Sequence, residues 1–166
     1  HKVLPIIAKD LTGLVKFKII GDGGKREQLD RDLKAFNISN VELLPPIPRN
    51  ELIVEYKKAD ILFLHLNSHK TLDLVIPSKV FEYAATGKPI LAGVSGFSAE
   101  LLKEIEGVEI FTPCNIRQMK ISLLALLKGS SSFERVEFCD KFNRSNIMSE
   151  LIDKIINLSK TRVVKC

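Results

Sequence analysis

Three side chains near the middle of the chain, Ser78, Lys79 and Glu82, have the types and spacing to bind an anion and a sugar. In a helix, residues three or four positions apart share a face, so all three would crowd one face of its first turn. Amides at a helix N-terminus, with a hydroxyl and an ammonium beside them, suit an anionic group such as a diphosphate. A carboxylate one turn further in could accept hydrogen bonds from sugar hydroxyls. The same residues also fit a plain helix cap with an exposed ion pair.

The surrounding sequence predicts a short helix followed by a buried strand. Ser78 is a good side-chain N-cap for a helix over 79–86. Gly87 is a C-terminal stop signal because glycine readily takes the left-handed conformation, and the apolar residues after it predict a strand. Glu82 stands one position too late for a capping box, so capping does not account for it.

Strands and helices alternate along most of the chain. Apolar runs predict strands over 15–20, 41–44, 60–66, 90–92 and 108–111. The other patterns predict helices over 1–13, 50–58, 79–86 and 99–106, helices starting at Lys25 and Asn115, and two closing helices, the last over 144–161. Because the strands are apolar without clear alternation, we expect an α/β fold, a doubly wound, Rossmann-like parallel sheet with helices on both faces.

Ligands of such sheets bind beyond the carboxyl ends of the strands. Four predicted loops lie at that rim: 21–24, 45–49, 67–78 and 94–97. We expect Ser98 to cap the helix that follows the last of them. Helical spacing predicts further core residues, among them Phe36, Leu127 and, in the last helix, Met148, Leu151, Ile152, Ile155 and Ile156.

Two other motifs carry less weight. The glycine-rich turn after the first strand resembles a dinucleotide fingerprint, but Arg26 stands at the third glycine position, so we reject an NAD site. A turn at Gly21 and Gly23 still lets a base or ribose approach the backbone. Asp30 and Asp32 match a metal-binding D-x-D pattern, yet residues two apart in a helix do not share a face. We therefore expect neither a bound metal nor a cofactor.

The composition of the chain limits the classes of function that it could have. The chain has 166 residues, 45% of them hydrophobic and 27% charged, which indicates one globular domain. The net charge is +5, but the positive residues are scattered and lack interleaved aromatic residues, so we expect no nucleic-acid partner. The three cysteines show no zinc or disulfide pattern and favour a cytoplasmic location, and no apolar run could span a membrane. The chain opens as if inside a helix, so we expect a fragment.

A family resemblance rests on four sequence blocks and their order: FKIIGDGGKREQL, VELLPPIPRNEL, YKKADILFLHL and IPSKVFEYAATGKPILAGVSG. Together they resemble the C-terminal, donor-binding half of a glycosyltransferase family 4 enzyme of the GT-B fold, over about residues 3–160. Within that family the chain resembles most the bacterial enzymes that build O-antigen or capsule polysaccharide. The resemblance implies that residues 1–166 form one nucleotide-sugar-binding domain, and that an N-terminal, acceptor-binding domain is its partner.

The resemblance also implies an activity and a donor. It implies retaining transfer of a sugar from a UDP- or GDP-sugar to a growing surface polysaccharide or a lipid-linked glycan, without a metal. A lipid-linked acceptor would fit the positive charge at the inner face of the plasma membrane. The implied nucleotide-sugar site consists of Gly21, Asp22, Gly23, Pro48, Ile76, Pro77, Ser78, Lys79 and Glu82. Lys79 is also the implied catalytic group, because its ammonium would stabilise the leaving diphosphate.

Two departures from the family pattern bear on activity. The second glutamate of the family's E-x7-E motif falls on Glu82, but the first falls on Leu74, so Asp73 is expected to take its catalytic place. The family's basic pair lies upstream of His1, and we expect the chain alone to bind nucleotide weakly and to be inactive. Two alternatives are a non-catalytic α/β interaction module, such as a receiver-like domain, and a degenerate transferase subunit.

Overall fold

The computed structural model describes residues 3–162, in which five strands alternate with helices. The strands are β1 (Phe17–Ile20), β2 (Val41–Leu44), β3 (Leu62–His65), β4 (Ile90–Gly93) and β5 (Val108–Phe111). The α-helices are α1 (Val3–Asp10), α2 (Arg26–Ala35), α3 (Arg49–Lys58), α4 (Lys79–Ala84), α5 (Gly96–Lys103), α6 (Ile116–Lys128), α7 (Val136–Lys141) and α8 (Arg144–Arg162). A 3-10 helix spans Lys70–Leu74, within the predicted loop before α4.

The strands pair only in parallel among these residues. β1 pairs with β2, with Phe17 opposite Val41. β3, β4 and β5 form a second ladder, in which Leu62 lies opposite Ile90 and Ile90 opposite Val108. The carboxyl ends within each ladder therefore lie at one edge, and the ends of β1 and β3 line a common cavity. This alternation of parallel strands and helices confirms the predicted α/β fold.

The side chains of β4 enter two cores, one on each face of the sheet. Ile90 and Ala92 lie in one core, which includes residues of α3, α4, α5 and α7. Leu91 lies in the other core with Ile7 of α1 and Met119 of α6. Successive strand residues point to opposite faces, so a strand buried on both faces reads as an unbroken apolar run. That is why this strand showed no alternation in the sequence.

Several predicted core assignments are wrong. Phe36 follows the end of α2 and is 48% exposed, and Leu127 near the end of α6 is 44% exposed. The apolar residues predicted to pack in the last helix are 43–57% exposed, because α8 packs mainly against the short α7. No helix in the described part of the chain is long and apolar enough to cross a membrane.

The carboxylate of Glu55 ties α3 to β1. Lys18 Nζ and Lys58 Nζ each lie 2.8 Å from this carboxylate, and their hydrogen bonds lower the pKa of Glu55 to about 2. A lowered pKa in the folded state stabilises the fold above the ordinary carboxyl pKa of 4.5, and this contribution is lost as the pH falls towards 2. We expect Glu55→Gln to flatten the acid side of the stability curve, measured by urea unfolding at neutral and acidic pH. An unchanged acid-dependent loss in the variant would contradict this assignment.

Candidate functional site

In the loop that enters α4, the backbone amides of three exposed residues have no partner in the part of the chain that the structure describes. Among the described residues, no backbone carbonyl accepts a hydrogen bond from the N–H groups of Ile76, Ser78 and Lys79. The next amide, that of Val80, is already paired with the Pro77 carbonyl at 3.0 Å. Unpaired amides in such a turn are typical of anion-binding loops.

Ser78 does not cap α4 as predicted. It takes a helical conformation, and its side chain makes no capping hydrogen bond. A side-chain N-cap needs an extended backbone at that residue, so the hydroxyl of Ser78 cannot reach the amides of the first turn. The prediction of a capping role is therefore wrong, and Ser78 is exposed.

Lys79, the first residue of α4, brings a positive charge to the segment that carries these amides. α4 has only six residues, so its macrodipole adds little, and the charge at this position comes from the lysine. Val80, Tyr83 and Ala84 of α4 are buried, whereas Lys79 is exposed. Lys79 Nζ lies 6.0 Å from the centre of the Tyr83 ring and forms no ion pair with a described residue. The ammonium is therefore available to an anionic ligand.

Two residues of α3 hold the carboxylate of Glu82. Tyr56 Oη donates a hydrogen bond to Glu82 Oε2 at 3.4 Å, and Arg49 Nη1 lies 3.6 Å from Glu82 Oε1. Burial, followed by the charge of Glu82, raises the pKa of Tyr56, which keeps the phenol a donor. The side chain of Glu82 is 31% exposed and that of Arg49 is 79% exposed. An exposed ion pair of this kind is weak, so ligand hydroxyls can replace it.

The glycine turn after β1 lines a cavity of about 310 Å³. Gly21 and Gly23 lie in its wall with His65 and Asn67 from the end of β3. The Arg26 guanidinium donates 2.5 Å hydrogen bonds to the carbonyl of Gly21 and to that of Leu44 at the end of β2. These hydrogen bonds hold the turn in place. Arg26 occupies the position at which a dinucleotide fingerprint would have its third glycine. Gly21 has φ 143°, which favours glycine. The cavity is at the lower end of the usual range for ligand pockets, about 300–1,000 Å³.

The segment before α4 is anchored to α5. Ser95 Oγ donates a hydrogen bond to Asp73 Oδ1 at 2.5 Å, and Ser98 Oγ donates one to the Val75 carbonyl at 2.5 Å. Ser98 lies inside α5 and is fully buried, so its predicted role as an N-cap is wrong. Gly96 has φ 60°, and a Cβ there would overlap the backbone of Asp73. These contacts fix the entry to the loop with the unpaired amides.

The predicted site residues fall into three groups at the rim of the sheet. The first is the loop 76–79, and the second is the cavity wall with Gly21 and Gly23. The third is Glu82, which pairs with Arg49 at the start of α3. The predicted site residue Pro48 is the N-cap of α3 and directly precedes Arg49. The cavity wall does not include Asp22 or any residue of the loop 76–79.

Sequence reasoning missed several supporting residues. Arg49 lies at the end of a predicted rim loop, but its pairing with Glu82 had no local signal, and the same holds for Tyr56. Leu74, at the position of the family's first glutamate, is 73% exposed. The residues 3–162 hold no group of His, Cys, Asp and Glu that could bind a metal, and Cys114 and Cys139 are free thiols.

A comparison with protein families identifies the chain. The profile described as "Glycosyl transferases group 1" matches residues 1–146. The chain belongs to this glycosyltransferase family. No curated protein and no solved structure shows significant similarity to it. Membership confirms the resemblance at the level of the family and means that this glycosyltransferase domain serves sugar transfer from a nucleotide-sugar donor.

Proposed function

We propose that this glycosyltransferase domain binds the nucleoside diphosphate of a UDP- or GDP-sugar for retaining transfer to a bacterial surface polysaccharide or a lipid-linked glycan. The observation that carries the proposal is the set of amides at Ile76, Ser78 and Lys79, together with the Lys79 ammonium, none of which pairs with a described residue. Preorganised donors of this kind stabilise negative charge that develops on a leaving group. No residue role in this proposal requires a metal, because the lysine supplies the positive charge.

Each of the three groups of residues binds a different part of the nucleotide-sugar donor. The amides and ammonium of the loop 76–79 bind the diphosphate, and Pro77 holds that loop in place. Glu82 accepts hydrogen bonds from the ribose hydroxyls. The base lies against Pro48 and the turn at 21–23, which includes Asp22. Asp73 serves the donor sugar with Oδ2, while its Oδ1 accepts the hydrogen bond from Ser95.

The acceptor side of the proposal involves further partners. We propose that an N-terminal domain provides acceptor recognition, and that the net charge of +5 holds the enzyme at the anionic inner face of the plasma membrane. Sedimentation with anionic liposomes would show this association, and absence of binding by the protein that carries both domains would refute it.

The exposed Leu74 favours a second candidate function, a non-catalytic subunit that keeps the nucleotide site.

Calorimetric titration of the chain with UDP, GDP, ADP and NAD tests the nucleotide site. We expect one nucleoside diphosphate to bind, and Glu82→Gln to weaken that binding roughly tenfold, because a hydrogen bond to a charged acceptor is lost. Glu137→Gln, which changes an exposed glutamate of α7, is the matched control and should bind like the parent chain. Equal affinity in Glu82→Gln and the parent would remove Glu82 from the site.

A further inference from the structure

His65, the last residue of β3, is packed between aromatic rings of its own strand and of β5. Its ring stacks with those of Phe63 and Phe111, and the ring centres are 5.9 Å apart in each pair. Gly93 of β4 lies opposite His65, and a Cβ at Gly93 would overlap the edge of the imidazole. These contacts fix the position of the imidazole ring.

The imidazole of His65 holds the turn 112–115, which joins β5 to α6. The backbone amide of Cys114 donates a hydrogen bond to His65 Nε2 at 3.2 Å, across 49 positions of the sequence. Because Nε2 accepts this bond, it carries no proton, and the proton of the neutral ring is on Nδ1. The amide of Cys114 has no other partner among the residues that the structure describes.

The middle of this turn depends on that hydrogen bond. Cys114 has φ 66°, a left-handed conformation that is unfavourable for a residue with a Cβ. Other contacts hold the two ends of the turn. The amide of Asn115 donates to the carbonyl of Thr112 at 3.0 Å, and the amide of Thr112 donates to Gln118 Oε1 at 2.9 Å. The bond to His65 is the contact that supports Cys114 between them.

The groups around His65 disfavour a positive charge on its ring. Lys25 and Arg26 are the charged residues in the described wall of the 310 Å³ cavity that His65 also lines, and both are positive. The contacts from β4 and β5 are uncharged, and the turn brings only the thiol of Cys114. Burial, followed by the amino-terminal charge, lowers the pKa of His65 below its ordinary value of 6.5. His65 is therefore neutral at pH 7.

We propose that His65 is a pH-sensitive switch, which holds the turn 112–115 when it is neutral and releases the turn when it is protonated. Both ring nitrogens of a protonated imidazole are donors, so Nε2 can no longer accept the amide hydrogen of Cys114. Cys114 then loses the support for its left-handed conformation, and the turn loosens. Thr112 and Pro113 of the turn line a cavity of about 360 Å³ at the ends of β4 and β5, so mild acid changes the wall of this cavity. The switch does not depend on the proposed nucleotide site.

NMR spectra of the ¹⁵N-labelled chain, recorded from about pH 8 to about pH 5, test the switch. We expect the amide signal of Cys114 to shift with the same midpoint as the imidazole of His65. Its protection against hydrogen exchange should fall roughly tenfold, the equivalent of one lost hydrogen bond. His65→Gln keeps an acceptor that cannot be protonated, so its Cys114 amide should stay protected. His69→Gln changes an exposed histidine four positions later and, as the matched control, should behave like the parent chain.

Three results would overturn the proposed switch. The first is a Cys114 amide that keeps its chemical shift and its protection while His65 becomes protonated. The second is the same acid-dependent loss of protection in His65→Gln, which would assign the change to another group. The third is a neutral His65 whose ¹⁵N shifts place the proton on Nε2, and this measurement on the parent chain needs no variant to fold. Because no nucleotide is present, each result is independent of the proposed function.

Discussion

Replacing Lys79 with methionine is expected to lower the turnover of the proposed two-domain transferase by about 10²- to 10³-fold, the usual cost of removing one preorganised charge-stabilising donor. The negative charge on the leaving diphosphate grows as the bond to the sugar breaks. The ammonium of Lys79, unpaired with any described residue, would therefore stabilise the transition state more than the bound donor. Steady-state kinetics should show the loss mainly in kcat, with a smaller change in KM.

A second lysine provides the control for this prediction. Lys128→Met removes an exposed ammonium at the end of α6, away from the loop 76–79, and should leave kcat unchanged. Methionine keeps the length and the apolar part of the side chain, so both variants should unfold at the temperature of the parent protein. A Lys79→Met enzyme with the kcat of the parent would exclude Lys79 from leaving-group stabilisation.

The largest effect on stability is expected at Arg135. This buried residue donates hydrogen bonds to three backbone carbonyls, those of Glu106 at 2.9 Å, Lys88 at 3.0 Å and Ala84 at 3.3 Å. The Arg135→Met variant removes the donor of the Glu106 and Lys88 carbonyls and leaves that of Ala84 with the Gly87 amide, and we expect it to lower the free energy of unfolding by about 2–4 kcal/mol. Urea unfolding at neutral pH measures the change.

The position of Arg135 links this loss to the site. Ala84 ends α4, so loss of the donor should loosen the helix that carries Lys79 and Glu82. Arg31→Met on the exposed face of α2 is the control, because its ion pair with Glu27 is solvent-exposed and contributes little. A free energy of unfolding for Arg135→Met within the error of that control would contradict the anchoring role.

The sequence predicted the fold because its local signals agree with the tertiary structure. Each predicted strand overlaps an observed one, and a helix starts at Asn115 as predicted, with the Asn115 side chain accepting a hydrogen bond from the Gln118 amide. The errors lie where a distant partner decides the role of a residue. Ser98 bonds to a carbonyl 23 residues earlier, and Arg135 reaches carbonyls 29 to 51 residues earlier, so no local pattern could show either contact.

The candidate site was predictable only in part for the same reason. Lys79 and Glu82 stand near each other in the sequence, and a family motif marks both of their positions. Tyr56, by contrast, meets Glu82 across 26 residues, and it reads locally as an ordinary helix residue. The unpaired amides of the loop depend on backbone conformation, which residue types around Pro77 do not specify.

The central claim is that the loop 76–79 binds the diphosphate of the donor. Amide NMR spectra of the ¹⁵N-labelled chain, recorded during titration with the nucleoside diphosphate that binds best, test it directly. We expect the largest chemical-shift changes at the amides of Ile76, Ser78 and Lys79, with smaller ones near Glu82. Saturating nucleotide that leaves these three amides unshifted, while other parts of the chain respond, would contradict the assignment of the site.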